Sequence, residues 1–358
     1  MKRIAFVTAC ALMFLIGGMG AMADAMYSVA GLDIPGDAGI YGINNFGDVV
    51  GQSVSGSDVR AFRLTNGGSY SDLGTLGVSS AAYAINNSGK IVGSSELGDY
   101  TIHAFLWEAG KPMQDLTPLG GDSYAHGINN FDQVAGAATV DGWMHAFRWQ
   151  EGSDMEDIGT LGGDISDAWA INDSGNVAGW SETEDGEGHA FFWKDGSPMR
   201  DLSTFGGDYS YANALNNANQ VVGDADMSTT GYHAFLWQDN GLGLQNLGTF
   251  GGRNSSAMSI NNSGTIVGWA NTLSNGARAF VWRQGAGMVD LNTLLPSNSG
   301  WVLVSASAIN DRGQIAGEGV YNGQRKIFLM NPVPEPSSLL ALGGGLVAFA
   351  GLLRKRRA

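Results

Sequence analysis

The sequence contains a single cysteine, Cys10, and it falls in an N-terminal stretch that reads as removable. Without it the chain can build neither a disulfide framework nor a thiolate metal site, so stability outside the cytoplasm must come from packing. Basic residues are scarce as well. Lys and Arg number 19 against 34 Asp and Glu, and six of the 19 lie in the two terminal segments. The body keeps 13 basic and 33 acidic residues, a net charge of −20. Such a body repels a phosphate backbone, which argues against nucleic acid as a partner. Eight prolines are too few for a disordered linker chain. No stretch between the punctuating glycines keeps a 3.6-residue apolar spacing, so helices are not expected there. A nucleophile elbow, a phosphate-cradling glycine loop and HExxH are all missing.

The two ends stand apart from the body. Residues 1–23 combine a basic start (Lys2, Arg3), an apolar stretch from Ile4 to Ile16 and a small-residue A-x-A site at Ala21-Met22-Ala23. That order is a secretory signal peptide. Val7 to Cys10 imitates a lipoprotein acylation box, but the apolar core runs on past the cysteine, which favours simple cleavage. The opposite end, residues 332–358, carries Pro334-Glu335-Pro336, an apolar run from Ser338 to Leu353, and the cluster Arg354-Lys355-Arg356-Arg357. The run is slightly short of the roughly 20 residues a relaxed membrane helix needs, and its basic flank would stay cytoplasmic. These three ordered features resemble the PEP-CTERM protein-sorting signal of Gram-negative bacteria. The resemblance implies recognition of Pro334-Glu335-Pro336 by an exosortase-type membrane protease. It also implies transient anchoring in the inner membrane by a transmembrane helix, then release or display at the outer surface. A plain C-terminal anchor is the alternative.

Between the ends the chain repeats itself. Ile/Leu-Asn-Asn/Asp occurs seven times, beginning at Ile43, Ile85, Ile128, Ile171, Leu215, Ile260 and Ile309, with spacings of 42, 43, 43, 44, 45 and 49. Each copy is followed by an apolar-apolar-Gly string such as "VVG" or "IAG". A second marker keeps step: "AFRL" at Ala61, "AFLW" at Ala104, "AFRW" at Ala146, and so on to "IFLM" at Ile327. A third, such as "MEDIGTLGG" from Met155, lies between them. A period of 40 to 45 residues points to an array of one supersecondary unit.

Each unit parses into four short strands. In "HAFLW" Phe105 and Trp107 share one face while Ala104 and Leu106 share the other. "MEDIG", "DAWAIN" and "NVAGWS" supply the other three strands. The Asn/Asp-x-Gly between the last two tolerates the positive φ of a tight hairpin tip. Four strands per 43 residues match one blade of a β-propeller. A β-solenoid is the competitor, and the ends argue against it. The first unit lacks an Ala-Phe-x-Trp strand before Ile43, and the last stops after "RKIFLM". We therefore expect an all-β fold over residues 24–331, a seven-bladed β-propeller. It closes when the terminal strand completes the first blade, so that N- and C-terminal strands pair and no long edge stays open.

The marker string also resembles that of the HAF-repeat extracellular proteins. His-Ala-Phe is literal at His103, His145, His189 and His233, while Arg60, Arg278 and Lys326 hold that place in the first, sixth and seventh units. The resemblance implies export and repetition, and no particular reaction.

Candidate sites have to be separated from this periodicity. Arg60, His103, His145, His189, His233, Arg278 and Lys326 would form a basic ring at the channel mouth if their position were axial. Their recurrence in register favours a blade-stabilising hydrogen bond over a metal ligand or an acid–base group. Trp107, Trp149, Trp193, Trp237 and Trp282 read as inter-blade core. Trp143, in a loop-like segment, and Trp301, in the widened last unit, are the better ligand candidates. The "NNSG" turns offer oxygen ligands to Ca²⁺ but lack the spaced carboxylates of a calcium loop, so hairpin tips are favoured and no cofactor is expected. Glu182, Glu184, Asp185 and Glu187 read as a solvated connection. The expectation is a non-enzymatic exported propeller that engages an exopolysaccharide, an envelope glycan or a protein partner at an end face where loops vary. The alternative is a polysaccharide hydrolase or lyase with its site at the channel mouth.

Overall fold

A computed structural model describes residues 27–116, 121–229 and 231–333. The expected signal peptide with Ala21 and Ala23, and the tail with Pro334, Glu335 and Pro336, lie outside those residues. No helix among the described residues is long and apolar enough to cross a membrane. The secondary structure is almost entirely strand, with one short 3₁₀ turn at Leu291–Leu294.

Each repeat folds into an antiparallel four-stranded unit whose strands pair in chain order. In the third unit they are Ser123–Ile128, Val134–Val140, Trp143–Trp149 and Glu156–Asp157, here termed the inner, second, third and outer strands. The units are separate four-stranded sheets, except that the fourth and fifth are joined through one parallel pairing of Gly188 with Tyr209.

The last unit draws on both ends of the described chain. Trp301–Ile309, Ile315–Tyr321 and Gln324–Pro332 supply three strands. Tyr27–Gly31 lies antiparallel on the outside, with Tyr27 opposite Pro332 and Gly31 opposite Phe328. The sequence reading has the C-terminal strand completing the first unit; instead the N-terminal strand completes the last. The cause is where a unit begins. It begins with the inner strand rather than with Ala-Phe-x-Trp. The first inner strand, Asp37–Ile43, follows soon after Gly31, so the leading strand is left over for the outer edge of unit seven.

The core lies in the seams between units, and period-two alternation on the third strand fills both seams that strand touches. Phe105, with the partly buried Trp107, packs against Val50, Ala61 and Leu73 of the first unit. Ala104 and Leu106, on the opposite face, pack against Phe147 and Trp149 of the third. The pattern repeats along the chain. A further seam joins Ala316, Ile327 and Leu329 of the last unit to Ile40, Val49, Phe62 and Leu64 of the first. The seven phenylalanines at this position, from Phe62 to Phe328, are all fully buried. Burying one such side chain contributes on the order of 1.5–3 kcal/mol.

Two hydrogen-bonded circuits explain the doubled asparagine. The first Asn of each turn is buried. Its Oδ1 accepts from two backbone N–H groups of its own turn, as Asn172 does from Ser174 and Asn176. Its Nδ2 donates to the carbonyl of the same Asn one unit on. These links run Asn44 to Asn86, Asn129, Asn172, Asn216, Asn261 and Asn310. Asn310 then donates to the carbonyl of Asn44 at 2.8 Å. In the second circuit each backbone N–H donates to the next unit's Asn or Asp side chain, from Asn45 to Asn87 at 2.9 Å and finally from Asp311 back to Asn45 at 2.9 Å. Burial alone would raise the carboxyl of Asp173, but donors from Asn130 and Asn217 hold it below the ordinary aspartate value.

A buried serine fastens neighbouring units at the other end. Ser166 accepts from Ala146 N–H at 2.8 Å and donates to the Gly159 carbonyl at 2.6 Å. Ser80, Ser210 and Ser255 repeat this staple.

Asn172→Ala strips partners from several buried N–H and C=O groups, each worth about 1–3 kcal/mol. Urea unfolding should show a loss of roughly 2–4 kcal/mol. A loss within error of zero would mean that the circuits do not hold the units.

Candidate functional site

Every inner strand carries a one-residue bulge just before the repeated Ile or Leu. The register slips between Ile40 and Gly42, Ala82 and Ala84, Ala125 and Gly127, and at the corresponding points of the other four units. A bulge re-aims the extra side chain. The residues so placed are Tyr41, Tyr83, His126, Trp169, Asn213, Met258 and Ser307, and all seven line one cavity of about 270 Å³. The repeated Ile and Leu side chains separate it from a cavity of about 170 Å³ lined by the asparagine turns. The same bulge explains the apolar-apolar-Gly string. A Cβ on Gly223 would collide with the Tyr211 carbonyl oxygen, and one on Gly179 with that of Asp167.

The lining of the larger cavity is uneven. On one side Tyr83 and His126 have ring centroids 5.1 Å apart, His126 stacks on Tyr124 at 5.9 Å, and its Nε2 lies 3.4 Å from Asp167. Trp169 stacks on Tyr211 at 5.7 Å, and Tyr211 leads outward into a second cavity of about 390 Å³.

This second cavity is a cleft between units five and six. Tyr209 and Tyr211 come from the inner strand Gly206–Leu215, Asp224 and Asp226 from the second strand Gln220–Met227, and Tyr232 from the third strand Tyr232–Gln238. Ser256 and Trp269 belong to the next unit. Strand alternation puts Asp224 and Asp226 on one face. Tyr232 and Trp269 meet edge to face at 6.1 Å and form a corner. Asp224 accepts from the Ser256 hydroxyl at 2.6 Å and from the Asn213 amide at 3.2 Å, so the cleft and the central cavity share a residue. Burial pushes the Asp224 carboxyl up, against these two donors. Asp226 is pushed up by burial and by the charge of Asp208.

The residues expected to ring the channel do not meet. They stand on third strands, two strands out from the cavity, and each is bonded locally. Nδ1 of His103, His145 and His189 pairs with Asp115, Asp157 and Asp201 of the outer strand at 2.7–2.9 Å, and His233 pairs with Asn246 at 3.1 Å. Arg60 donates to the Val78 carbonyl and Arg278 to that of Ala277, while Lys326 lies 4.0 Å from Asp33. The histidines thus hold the short outer strand, whose Asp also caps the following turn, as Asp157 does for Gly159 N–H. Trp143 begins a strand rather than a loop and is 50% exposed. Trp301 is a packing residue at the chain junction, against Tyr321, Phe328 and Gly31. Among the described residues no three His, Cys, Asp or Glu side chains gather as a metal site would require.

The cleft and the bulge positions escaped the sequence reading, although a signal was there. In "AAYAIN", "YAHGIN", "DAWAIN" and "YANALN" the third letter changes between Tyr, His, Trp and Asn while the residues on either side of it stay Ala or Gly; in "GIYGIN" Ile40 precedes it instead. Likewise the residue after the apolar-apolar-Gly string varies: Gln52, Ser94, Ala137, Trp180, Asp224, Trp269 and Glu318.

Comparison with known proteins fits this geometry. The model of a family described as a protein of unknown function, DUF3466, matches residues 209–331, a segment that contains the whole cleft. The PEP-CTERM protein-sorting motif matches residues 332–357. The likeness to HAF-repeat proteins rests on the marker string alone. No curated protein matches the chain. Among solved structures it is similar to TolB from Acinetobacter baumannii, with TM-score 0.50, 11% identity, and coverage of 67% of this chain and 62% of that one. It is also similar to a puromycin-hydrolyzing peptidase from Mycobacterium tuberculosis (0.53, 14%, 79% and 49%). A third is the β-propeller domain of the Trilobed protease from Pyrococcus furiosus (0.51, 10%, 73% and 84%). The chain thus spans about three fifths of the TolB and half of the peptidase. At these identities the likeness concerns the fold alone, which is all-β and propeller-like.

Because the carboxyl of Asp224 lies above its unfolded value, its ionised form works against folding at neutral pH. Asp224→Asn should therefore raise the melting temperature at pH 7, with the gain shrinking as pH falls toward the ordinary aspartate value of 3.8. A lower melting temperature at pH 7 would show that the carboxylate supports the fold.

Proposed function

We propose that this chain is an exported, seven-bladed propeller, closed by its own N-terminal strand, that binds a surface glycan or exopolysaccharide in the cleft between units five and six. The seven four-stranded units, the seam from the last to the first, and the circuit returning from Asn310 to Asn44 support the closed count. The PEP-CTERM motif marks an exported protein of the kind exosortases process. In the order we infer, the tail holds the protein briefly in the inner membrane of a Gram-negative cell, the protease removes it, and the propeller reaches the outer surface or the matrix.

One observation carries the binding reading. Three tyrosines, a tryptophan and two carboxylates converge in one seam. Tyr124 and Trp180 repeat Tyr211 and Trp269 singly in other units, but no other unit combines them with the pair Asp224 and Asp226. A scaffold residue repeats because the unit repeats. This cluster occurs once, it is open, and it offers ring faces for sugar stacking with acceptors for hydroxyl groups. The protein acts, in this reading, by adhesion rather than by turnover.

A second reading is favoured by Asp224 and Asp226. Two carboxyls pushed upward in an aromatic cleft are the equipment of a glycosidic acid–base pair. One set of measurements separates the two. On the binding reading, Trp269→Ala and Tyr211→Ala each weaken retention on the cognate polysaccharide at least about 10-fold, a loss of about 1.4 kcal/mol, and no reducing ends appear. Release of reducing ends that Asp226→Asn abolishes would establish the enzyme instead. Retention unchanged in both aromatic variants would remove the cleft from the account.

A further inference from the structure

The cleft is built of aromatic rings and carboxylates, and none of its described lining residues is basic. Tyr209, Tyr211, Tyr232 and Trp269 line it together with Asp224, Asp226 and the Ser256 hydroxyl. The charged neighbour acting on Asp226 is another carboxylate, Asp208, and the one acting on Asp224 is Asp226 itself. Elsewhere partly buried carboxylates are compensated by a cation or by neutral donors. Asp48 holds Arg63 at 2.6 Å and Asp132 holds Lys90 at 2.9 Å, while Asp173 is held by asparagine donors. In the cleft two carboxylates lie together, and none of its described lining residues brings a positive charge.

A neutral sugar would leave that imbalance in place. Its hydroxyls would have to replace the water around two carboxylates that burial already disfavours. A ligand carrying an ammonium group supplies the missing charge. Tyr and Trp faces attract a cation within about 6 Å of the ring centroid, and the effect is stronger where water is excluded. The arrangement also has direction. Asp224 is tied down by Ser256 and Asn213 at the inner end, beside the central cavity. Tyr209, which is 43% exposed, marks the outer end. A polymer could thus lie across the Tyr232–Trp269 corner with one amine turned inward to the carboxylates.

On the glycan-binding reading, we infer that the cleft selects an amino sugar with a free, protonated amine, the 2-amino-2-deoxyhexose units of a de-N-acetylated polysaccharide. N-acetylation would both remove the charge and add bulk where the carboxylates sit.

Calorimetric titration of the purified protein with glucosamine hexamer, N-acetylglucosamine hexamer and cellohexaose tests this. The glucosamine hexamer should bind at least 10-fold more tightly than either of the others, and the preference should shrink as salt is raised. Asp226→Asn should reduce its affinity to that of the other two while leaving the melting temperature within a few degrees. Trp269→Ala should weaken all binding. Equal affinity for the three hexamers would overturn the inference and leave the glycan reading standing. So would a preference that survives both Asp226→Asn and Asp224→Asn, or binding that requires added Ca²⁺. Failure of all three hexamers and of surface polysaccharide to bind would remove both.

Discussion

The fold depends on a pair of hydrogen-bonded circuits at one end of the central cavity. Asparagine is suited to both because its side chain has an acceptor and a donor on one rigid amide. In the first position the acceptor serves the residue's own turn and the donor serves the neighbouring unit. In the second the circuit uses only the side-chain acceptor, so aspartate substitutes at Asp173 and Asp311 without breaking it, and the neighbouring Asn130, Asn217, Asn262 and Asn45 amides donate to those carboxylates. These bonds fix the spacing and tilt of the inner strands. The seams of phenylalanine, alanine and leucine can then fill without voids.

A scaffold that is fixed so firmly by its repeated residues leaves its non-repeated ones free to vary. The bulge before each Ile or Leu is a structural constant, but the side chain it turns into the central cavity differs in nearly every unit. The residue after the apolar-apolar-Gly string varies in the same way. Where two such positions meet across one seam, as Asn213 and Asp224 do with Ser256, they build a polar site out of parts of a repeating frame. Burial disfavours the ionised carboxyl of Asp224 there, against the donors of Ser256 and Asn213. Asp173, partnered by three donors, shows the opposite sign.

Much of the frame was legible from residues alone. Period-two alternation in "HAFLW" assigned Phe105 and Trp107 to one seam and Ala104 and Leu106 to the other, and the packing follows it. The glycine-rich hairpin tips and the absence of α-helix among the described residues of the repeats were readable for similar reasons. Three things were not. The sequence does not reveal which strand is innermost, so His103 and its equivalents looked like candidates for a channel mouth they do not reach. A bulge has no fixed letter of its own; its trace is the small residues around Tyr83 or Trp169 and the glycine opposite. The cleft gathers residues 60 positions apart, from Tyr209 to Trp269, and only the twist of two adjacent units brings them together. Motif spacing cannot report such a convergence.

The account as a whole requires the two ends of the described chain to lie side by side. A chain whose single cysteine, Cys10, lies apart from the paired strands in sequence gives a clean test. Ser28 and Asn331 are directly opposite in the antiparallel pair, where Cα atoms lie about 4.5–5.5 Å apart, within reach of a disulfide. In a Ser28→Cys, Asn331→Cys protein, mild oxidation of the folded monomer should close that bond intramolecularly and raise the melting temperature. Thiols that remain free in the native state, or that couple only between molecules, would show that the ends are apart. The circuits, the central cavity and the cleft geometry could not then stand as described.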